Sequence, residues 1–588
     1  MRASHRARAS WWAGPAIASA VAAVVAVTAS GGCHRNKMLP RADGAAVVVV
    51  TTPDAGNETG LPTTAEVEPN GTLANAQRID LGLAHALVVS GSITAGADPS
   101  AKGKDVDLYR LIIPEEAPSP AASPPVGDAA GVPAVAGADA ARPTTRRRLS
   151  MLVHPDLALP VTVDALDDAG QVLIAAPGSQ PGEPEGIPSM VVTPGTYFLR
   201  VRAAQAAAEG SYHVTLRLQP LEAGEELEPN GKATMATEIA PNAEAVGYFG
   251  WRHDQDWYRV PLDGLAEGSV LSADLEAVPG VTASLVVLDS VERKLTEVRG
   301  RKEERVAVRN IRVAPGEPHI FLLARADSGR DLDVRYNLRL RTEVGKPGAA
   351  GGDLEPNDDA QHASALTDGT VQGYLGRGDV DVYRYTAAEP LELDIEAAPP
   401  ERVDLRMEII RGIDNALLVR ADDGKRQEPE RLPNLFVPAG SILIRLSAPR
   451  GDGNPDEPYR LTVASKQPGS GAEREPNNSS ANATPLAAGT AGNGLLYPKG
   501  DVDVWQAPAT PDAAGEVAIT VTGIAGMTLE VRAQTLAARE LGRFKISGDS
   551  PATNRLAVGG EPCCLLQIRE ASGKAANFRD RYTITVGK

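Results

Sequence analysis

The sequence predicts an all-β protein, organised as four tandem antiparallel β-sandwich domains that follow a signal peptide and a flexible tether. Three observations lead there. A compound motif recurs four times, short runs of alternating apolar and polar residues recur with it, and no long 3.6-residue periodicity appears beyond the N-terminus. The 588 residues leave room for roughly three to five domains of ordinary size. With 58 Gly and 46 Pro the chain suits many strands joined by turns, and at 4% aromatics its cores must be mainly aliphatic.

The motif opens on an acidic turn. Glu68-Pro69-Asn70, Glu228-Pro229-Asn230, Glu355-Pro356-Asn357 and Glu475-Pro476-Asn477 are each preceded, two residues earlier, by Glu66, Glu226, Asp353 and Glu473. An Asp-x-Asp pair follows in each copy: Asp105/Asp107, Asp254/Asp256, Asp379/Asp381 and Asp501/Asp503. Its first Asp lies 37, 26, 24 and 26 residues after the Glu of the turn, so only the first copy is stretched. Two residues beyond the pair stands an aromatic, Tyr109, Tyr258, Tyr383 or Trp505, expected to fill the core.

Strands continue each copy. Val161–Leu166 with 171–174, 284–288, 391–395 with 405–410, and 517–521 with 527–533 read as strand pairs. Turns at Pro194-Gly195, Pro315-Gly316, Pro438-Ala439-Gly440 and Gly559-Gly560 lead into a penultimate strand. Each copy closes on an alternating run led by Tyr212, Tyr336, Tyr459 or Tyr582, and alternation places every second side chain on one face, as a half-buried strand requires. The expected domains are 65–220, 225–342, 353–465 and 473–588, with Gly- or Pro-bearing linkers at 221–225, 342–352 and 465–472. Within the first, 114–148 is an Ala-, Pro- and Gly-rich insertion expected to be disordered. It ends in Arg146-Arg147-Arg148, readable as a solvated loop end, a protease-sensitive site or an acidic-surface contact.

The N-terminus reads as an export signal. Residues 1–32 carry Arg2, Arg6 and Arg8 without any acid, then an apolar stretch over 11–29, then Ser30-Gly31-Gly32 before Cys33. An ordinary cleaved signal and an uncleaved anchor helix are the alternatives to lipidation at Cys33. Residues 33–64 read as the tether. Cys563 and Cys564 are adjacent, and neighbouring strand side chains point to opposite faces, so two separate buried thiols are expected. A vicinal disulfide or an intermolecular bridge is the alternative.

Taken in order, the acid-x-Glu-Pro-Asn turn, the Asp-x-Asp-x-aromatic segment, the Gly-led turn and the closing Tyr strand resemble the bacterial pre-peptidase C-terminal domain. That family is related to the collagen-binding modules of clostridial collagenases. The resemblance spans about 66–588 and implies a jelly-roll-like sandwich of about eight strands per copy. The segment before Cys33 is similar to the lipobox of bacterial lipoproteins, whose cysteine is lipidated and becomes the new N-terminus; Ser30 stands where that pattern usually has Leu.

Calcium is the expected cofactor. Hard cations take oxygen ligands, and in extended chain Glu66, Glu68 and Asn70 share a face, as do Glu226, Glu228 and Asn230, Asp353, Glu355 and Asn357, and Glu473, Glu475 and Asn477. The Asp-x-Asp pairs would complete each shell. The resemblance places calcium on these positions, and Asp358 matches a further acidic position there, where the other copies have Gly71, Gly231 and Asn478. The structural alternative is a Pro–Asn turn with Asp capping a loop.

A net charge of −17 repels phosphate backbones, so no nucleic-acid partner is expected. No His-Glu-x-x-His, Gly-x-Ser-x-Gly or Gly-rich phosphate loop appears, so no enzymatic activity is expected. Trp251 and Trp257 form the one local cluster readable as a ligand platform. The expectation is a non-enzymatic lipoprotein, anchored to the membrane by its N-terminal lipid at the outer membrane or cell surface. Its modules would bind or scaffold an extracellular or periplasmic protein ligand; the alternative is an accessory to a separate secreted peptidase.

Overall fold

The computed structural model describes residues 60–82, 85–94, 105–115, 146–205, 208–344, 353–559, 561 and 563–587, and the backbone alone of 38–40 and 46–48. The leader 1–32, Cys33 and most of the insertion 114–148 lie outside the described residues. The chain divides into two compact units, Met1–Asn57 and Glu58–Lys588. Within the first, Met38–Pro40 pairs antiparallel with Ala46–Val48, where the sequence suggests only tether.

Among the described residues the protein is all-β, as its sequence predicts, with no α-helix and a single 3-10 turn at Ala233–Met235. No helix there is long and apolar enough to cross a membrane. In the third repeat one sheet runs, edge to edge, Ser364–Leu366, Val380–Ala387, Gly440–Ser447, Arg406–Arg411 and Leu417–Ala421. The other runs Gly369–Leu375, Asn454–Lys466, Leu391–Ala398 and Glu430–Val437. The second and fourth repeats have the same order, and the first adds Thr63–Ala65 as a fifth strand beside Ala86–Ile93. Thr63 and Thr64 therefore belong to a sheet and not to the expected tether: an edge that can complete its hydrogen bonds recruits them.

Both sheets supply one apolar cluster per repeat. In the third it draws Tyr383, Met407 and Ile444 from one sheet and Leu393, Leu435 and Leu461 from the other, and the remaining repeats each have a cluster of their own. Full burial of one such aliphatic side chain stabilises by about 1.5–3 kcal/mol. The closing strand shows how alternation becomes packing: in Tyr336–Val344, Tyr336, Leu338 and Leu340 are buried, whereas Asn337 and Arg339 are half-buried and Arg341 is exposed.

Some expectations need correction. Val161–Leu166 does form a hairpin with Val172–Ala176. The strands around 391–395 and 405–410, however, lie in opposite sheets, as do Glu516–Thr522 and Thr528–Thr535. Their connections carry buried Val403 and Leu405, or Ile524 and Met527, and cross the core as arches. The insertion ends sooner than expected, since Arg147–Pro155 is a strand and the Arg148 side chain pairs with Glu225 and Gln219. Cys563 and Cys564 are joined by a disulfide, both buried, at the start of the strand Cys563–Glu570, where the ladder to Val502–Ala509 shifts register.

Two of the junctions are ordered, while 345–352 of the other lies outside the described residues. Ser465 and Lys466 continue the strand Asn454–Lys466, and Glu225 is buried between Arg148 of the first repeat and Arg335 of the second. Each later repeat also pairs, through the Glu of its acidic turn, with an edge strand of the repeat before it: Met190↔Glu228, Ile311↔Glu355 and Leu435↔Glu475, all parallel bridges.

Candidate metal centre

The acidic turn and the Asp-x-Asp strand are far apart in sequence, and the backbone of the turn's Asn joins them. Trp257, Val382 and Val504, each directly after the second Asp, donate their N–H to the carbonyls of Asn230 (3.2 Å), Asn357 (3.0 Å) and Asn477 (3.2 Å). The turn shapes itself locally: the N–H of Asn70, Asn230, Asn357 and Asn477 donates to the carboxylate of Glu68 (2.8 Å), Glu228 (2.7 Å), Glu355 (3.0 Å) and Glu475 (3.1 Å).

Three carboxylates then converge in every repeat. Glu66, Glu68 and Asp107; Glu226, Glu228 and Asp256; Asp353, Glu355 and Asp381; and Glu473, Glu475 and Asp503 each place one oxygen within 4.8 Å of the others. Both acids of the turn and the second Asp of the pair form the group. The first Asp has a different task. Asp254, Asp379 and Asp501 accept the N–H of Gly250 (2.7 Å), Gly376 (2.9 Å) and Tyr497 (3.0 Å), and Asp105 accepts that of Thr94 (2.6 Å), so each caps the loop before its strand. Asp358 is exposed and outside the group, and it interacts with Asp379.

Two further residues per repeat build the site, and sequence reasoning missed what they do. The closing-strand tyrosine reaches back to the second Asp: Tyr336 donates to Asp256 at 2.7 Å and Tyr582 to Asp503 at 2.6 Å, and Tyr212 bonds Asp107. The motif aromatic bonds that tyrosine in turn, Tyr109 to Tyr212 at 2.7 Å and Tyr258 to Tyr336 at 2.6 Å, with Tyr383 and Tyr459 likewise joined. In the fourth repeat the direction is fixed. Trp505 Nε1, which can only donate, points at the Tyr582 hydroxyl at 2.7 Å, so the hydroxyl proton goes to Asp503.

The second missed residue is a glycine directly across the ladder from the tyrosine: Gly91, Gly247, Gly373 and Gly494. A Cβ on Gly247 would lie 2.3 Å from Glu226 Oε2 and 2.5 Å from the Tyr336 hydroxyl, and one on Gly494 would lie 2.3 Å from Glu473 Oε2. The residue after each glycine donates its N–H to the first acid of the turn: Ser92 to Glu66 (2.7 Å), Tyr248 to Glu226 (2.7 Å), Tyr374 to Asp353 (3.1 Å) and Leu495 to Glu473 (2.5 Å). A glycine six or seven residues before the Asp pair in the last three copies was the available signal.

Burial dominates the electrostatics. It pushes Asp107 up to about 10, with Glu66 adding to the shift, and pushes Glu355 up to about 10, with Asp379 and Asp353 adding to it. It lifts Glu228, Asp353 and Glu475 to about 7, and Asp256, Asp381 and Asp503 well above the carboxylate range. Without a cation these groups hold protons because charging several of them together in low dielectric is costly.

The donor set suits a hard divalent cation. Among the described residues, buried oxygens with no hydrogen-bond partner include Asn70 Oδ1 and Asp107 Oδ1, Glu228 Oε1 and Asp256 Oδ1, Glu355 Oε1 and Asn357 Oδ1, and Glu475 Oε1 and Asp503 Oδ1. All are oxygens, and six to eight such ligands hold calcium. Trp251 and Trp257 form no platform: Trp251 packs against the core of the first repeat, and Trp257 meets Phe321 edge-on at 5.7 Å.

No protein-family profile matches the chain, and no curated protein matches it. Among solved structures it is similar to the CUB1-EGF-CUB2 domain of human MASP-1/3 at 9% identity, over 38% of this chain and 99% of that one, with a TM-score of 0.14. It is similar to a Paenibacillus xanthan lyase at 10% identity, over 68% of this chain and 43% of that one, TM-score 0.14. The BSP domain of a biofilm associated protein aligns at 10% identity, over 71% of this chain and 86% of that one, TM-score 0.11. At these scores the alignments carry no argument about function.

Proposed function

We propose that this chain is a non-enzymatic cell-envelope lipoprotein, held to the membrane by a lipid on Cys33, whose four jelly-roll-like modules form a calcium-stabilised scaffold for extracellular or periplasmic protein ligands. One observation carries the reading: the same group of three carboxylates, fully buried in the second and third repeats and anchored on a buried Asp in every one, stands at the same place in all four repeats, built into the sheets by tyrosine and glycine partners. A reaction centre has no reason to recur four times in one arrangement, whereas a structural cation site does. Calcium, when bound, supplies charge compensation. Glu66, Glu68 and Asp107 and their counterparts would hold it through carboxylate oxygens, with the Asn side chains beside them, and so tie the start of each module to its Asp-x-Asp strand.

Four separate apolar clusters support a reading as discrete sandwiches. A continuous stack of coils would share long parallel ladders between neighbours; here neighbours meet through isolated bridges.

The test is calorimetry of the full chain with and without calcium. Extracellular-type sites have Kd near about 10⁻⁴–10⁻³ M, so about 10 mM calcium stabilises each module by about 1–3 kcal/mol, or roughly 5–15 °C in Tm. Asp503→Asn, which keeps an acceptor for Tyr582, removes the response of the fourth module alone. Unchanged melting in 10 mM calcium would end the cation reading.

A further inference from the structure

The acidic turns of the second, third and fourth repeats face two ways. Their carboxylates close a site in their own repeat, while their backbone pairs with the repeat before. The Glu228 N–H donates to the Ser189 carbonyl at 3.2 Å, and its carbonyl accepts the Val191 N–H at 2.9 Å. Glu355 does the same with Asn310 (3.0 Å) and Arg312 (2.8 Å), and the Glu475 carbonyl accepts the Phe436 N–H at 2.8 Å.

The receiving strands are shaped for this. Each slips register at the contact: between Ile187 and Met190, opposite the Leu271–Ala273 step, and opposite the Leu393–Ile395 step. The slipped stretches read Ile187-Pro188-Ser189-Met190, Val308-Arg309-Asn310-Ile311 and Leu432-Pro433-Asn434-Leu435, with a small polar residue third in each. Two of those residues reach into the next repeat's site. Ser189 Oγ lies 3.3 Å from Glu226 Oε1, and Asn434 Nδ2 bonds Glu473 Oε1.

The fourth repeat lacks the device. Its corresponding strand, Pro551–Ala557, pairs with Glu516–Thr522 in unbroken register, and all its residues are exposed or half-buried. Glu185–Val192 and Glu430–Val437 are almost wholly buried. At the third junction a cleft of about 340 Å³, lined by Asn434, Leu435, Glu475, Tyr497 and Asp501, opens a route to the site from between the repeats. Glu475 Oε1 and the fully buried Asp503 Oδ1 lack hydrogen-bond partners there.

We infer that the acidic turns of repeats two to four are cation-dependent joints: filling a repeat's site fixes the same Glu whose backbone sits in the socket of the preceding repeat, so cation binding and inter-repeat docking reinforce each other. The coupling is reciprocal, since whatever docking adds to binding, binding must add to docking. Ser189 and Asn434 are positioning residues supplied by the neighbour. The inference rests on the reading of these groups as cation sites.

The experiment uses the full chain with calcium as the probe, measuring binding by titration calorimetry and trypsin cutting within 465–474, between the third and fourth cores. Calcium is expected to slow that cutting at least about tenfold. Asn434→Ala should weaken one of the four sites by about tenfold, the usual cost of losing a residue that orients a ligand, and abolish protection at that junction only. Ser189→Ala should weaken a different site and leave the 465–474 protection intact. Asn554→Ala, on the unslipped strand of the fourth repeat, should do neither. If calcium does not bind at all, the cation reading fails and takes the joint with it. If calcium binds while cutting stays unchanged, or Asn434→Ala and Ser189→Ala keep full affinity, the joint alone is refuted.

Discussion

Gly247→Ala probes the site where its packing is tightest. The added methyl would sit 2.3 Å from Glu226 Oε2 and 2.5 Å from the Tyr336 hydroxyl, with the ring carbon at 2.6 Å, and none of these atoms has room to retreat. Tyr336 is fully buried and bonded to Asp256, while Glu226 is held by the Tyr248 N–H. Relieving the overlap costs about 1–3 kcal/mol of packing strain. Leaving the buried Tyr336 hydroxyl without its Asp256 partner adds about 1–3 kcal/mol. The sum, about 2–6 kcal/mol, corresponds to a drop of roughly 10–30 °C for a domain of this size. Calorimetry in EDTA reads the loss without any contribution from cation binding. Gly231→Ala is the control, an exposed glycine of the same repeat whose added Cβ would meet nothing nearer than 3.7 Å. Equal melting of the two variants would refute the claim that glycine is required by the close approach of tyrosine and acid.

Two further outcomes follow from the buried charges. Well below pH 4.5 Glu228, Glu355 and Glu475 are protonated in folded and unfolded chains alike; as pH rises the unfolded chain ionises while Glu228 and Glu475 resist to about 7 and Glu355 to about 10. Metal-free protein therefore loses stability from about pH 5 to 9, by about 3 kcal/mol for each carboxyl displaced from 4.5 to about 7, and calcium flattens the slope; a flat Tm profile in EDTA would contradict the buried-acid account. Separately, Arg330→Ala leaves Glu185 of the first repeat buried without its cation, at a cost of about 3 kcal/mol. Burial already pushes the Glu185 carboxyl up, so the loss should be larger at pH 8 than at pH 5, and adding Glu185→Gln should recover most of it.

The sequence by itself determined the all-β class, the fourfold repeat and the residues that gather, because strand alternation and short motifs are written within a few residues of one another. It marked both acids of each turn and the Asp pair, but could not divide the pair. Only the tertiary structure decided that Asp254, Asp379 and Asp501 cap a loop while Asp256, Asp381 and Asp503 enter the carboxylate group. The tyrosine–glycine pairing, the arches at 398–406 and 522–528, and the slipped edges that receive the next acidic turn were likewise settled in three dimensions. The physical reason is common to all of them: alternation tells which face a side chain takes, whereas these features depend on which distant strand arrives opposite that face, and on how closely it can approach.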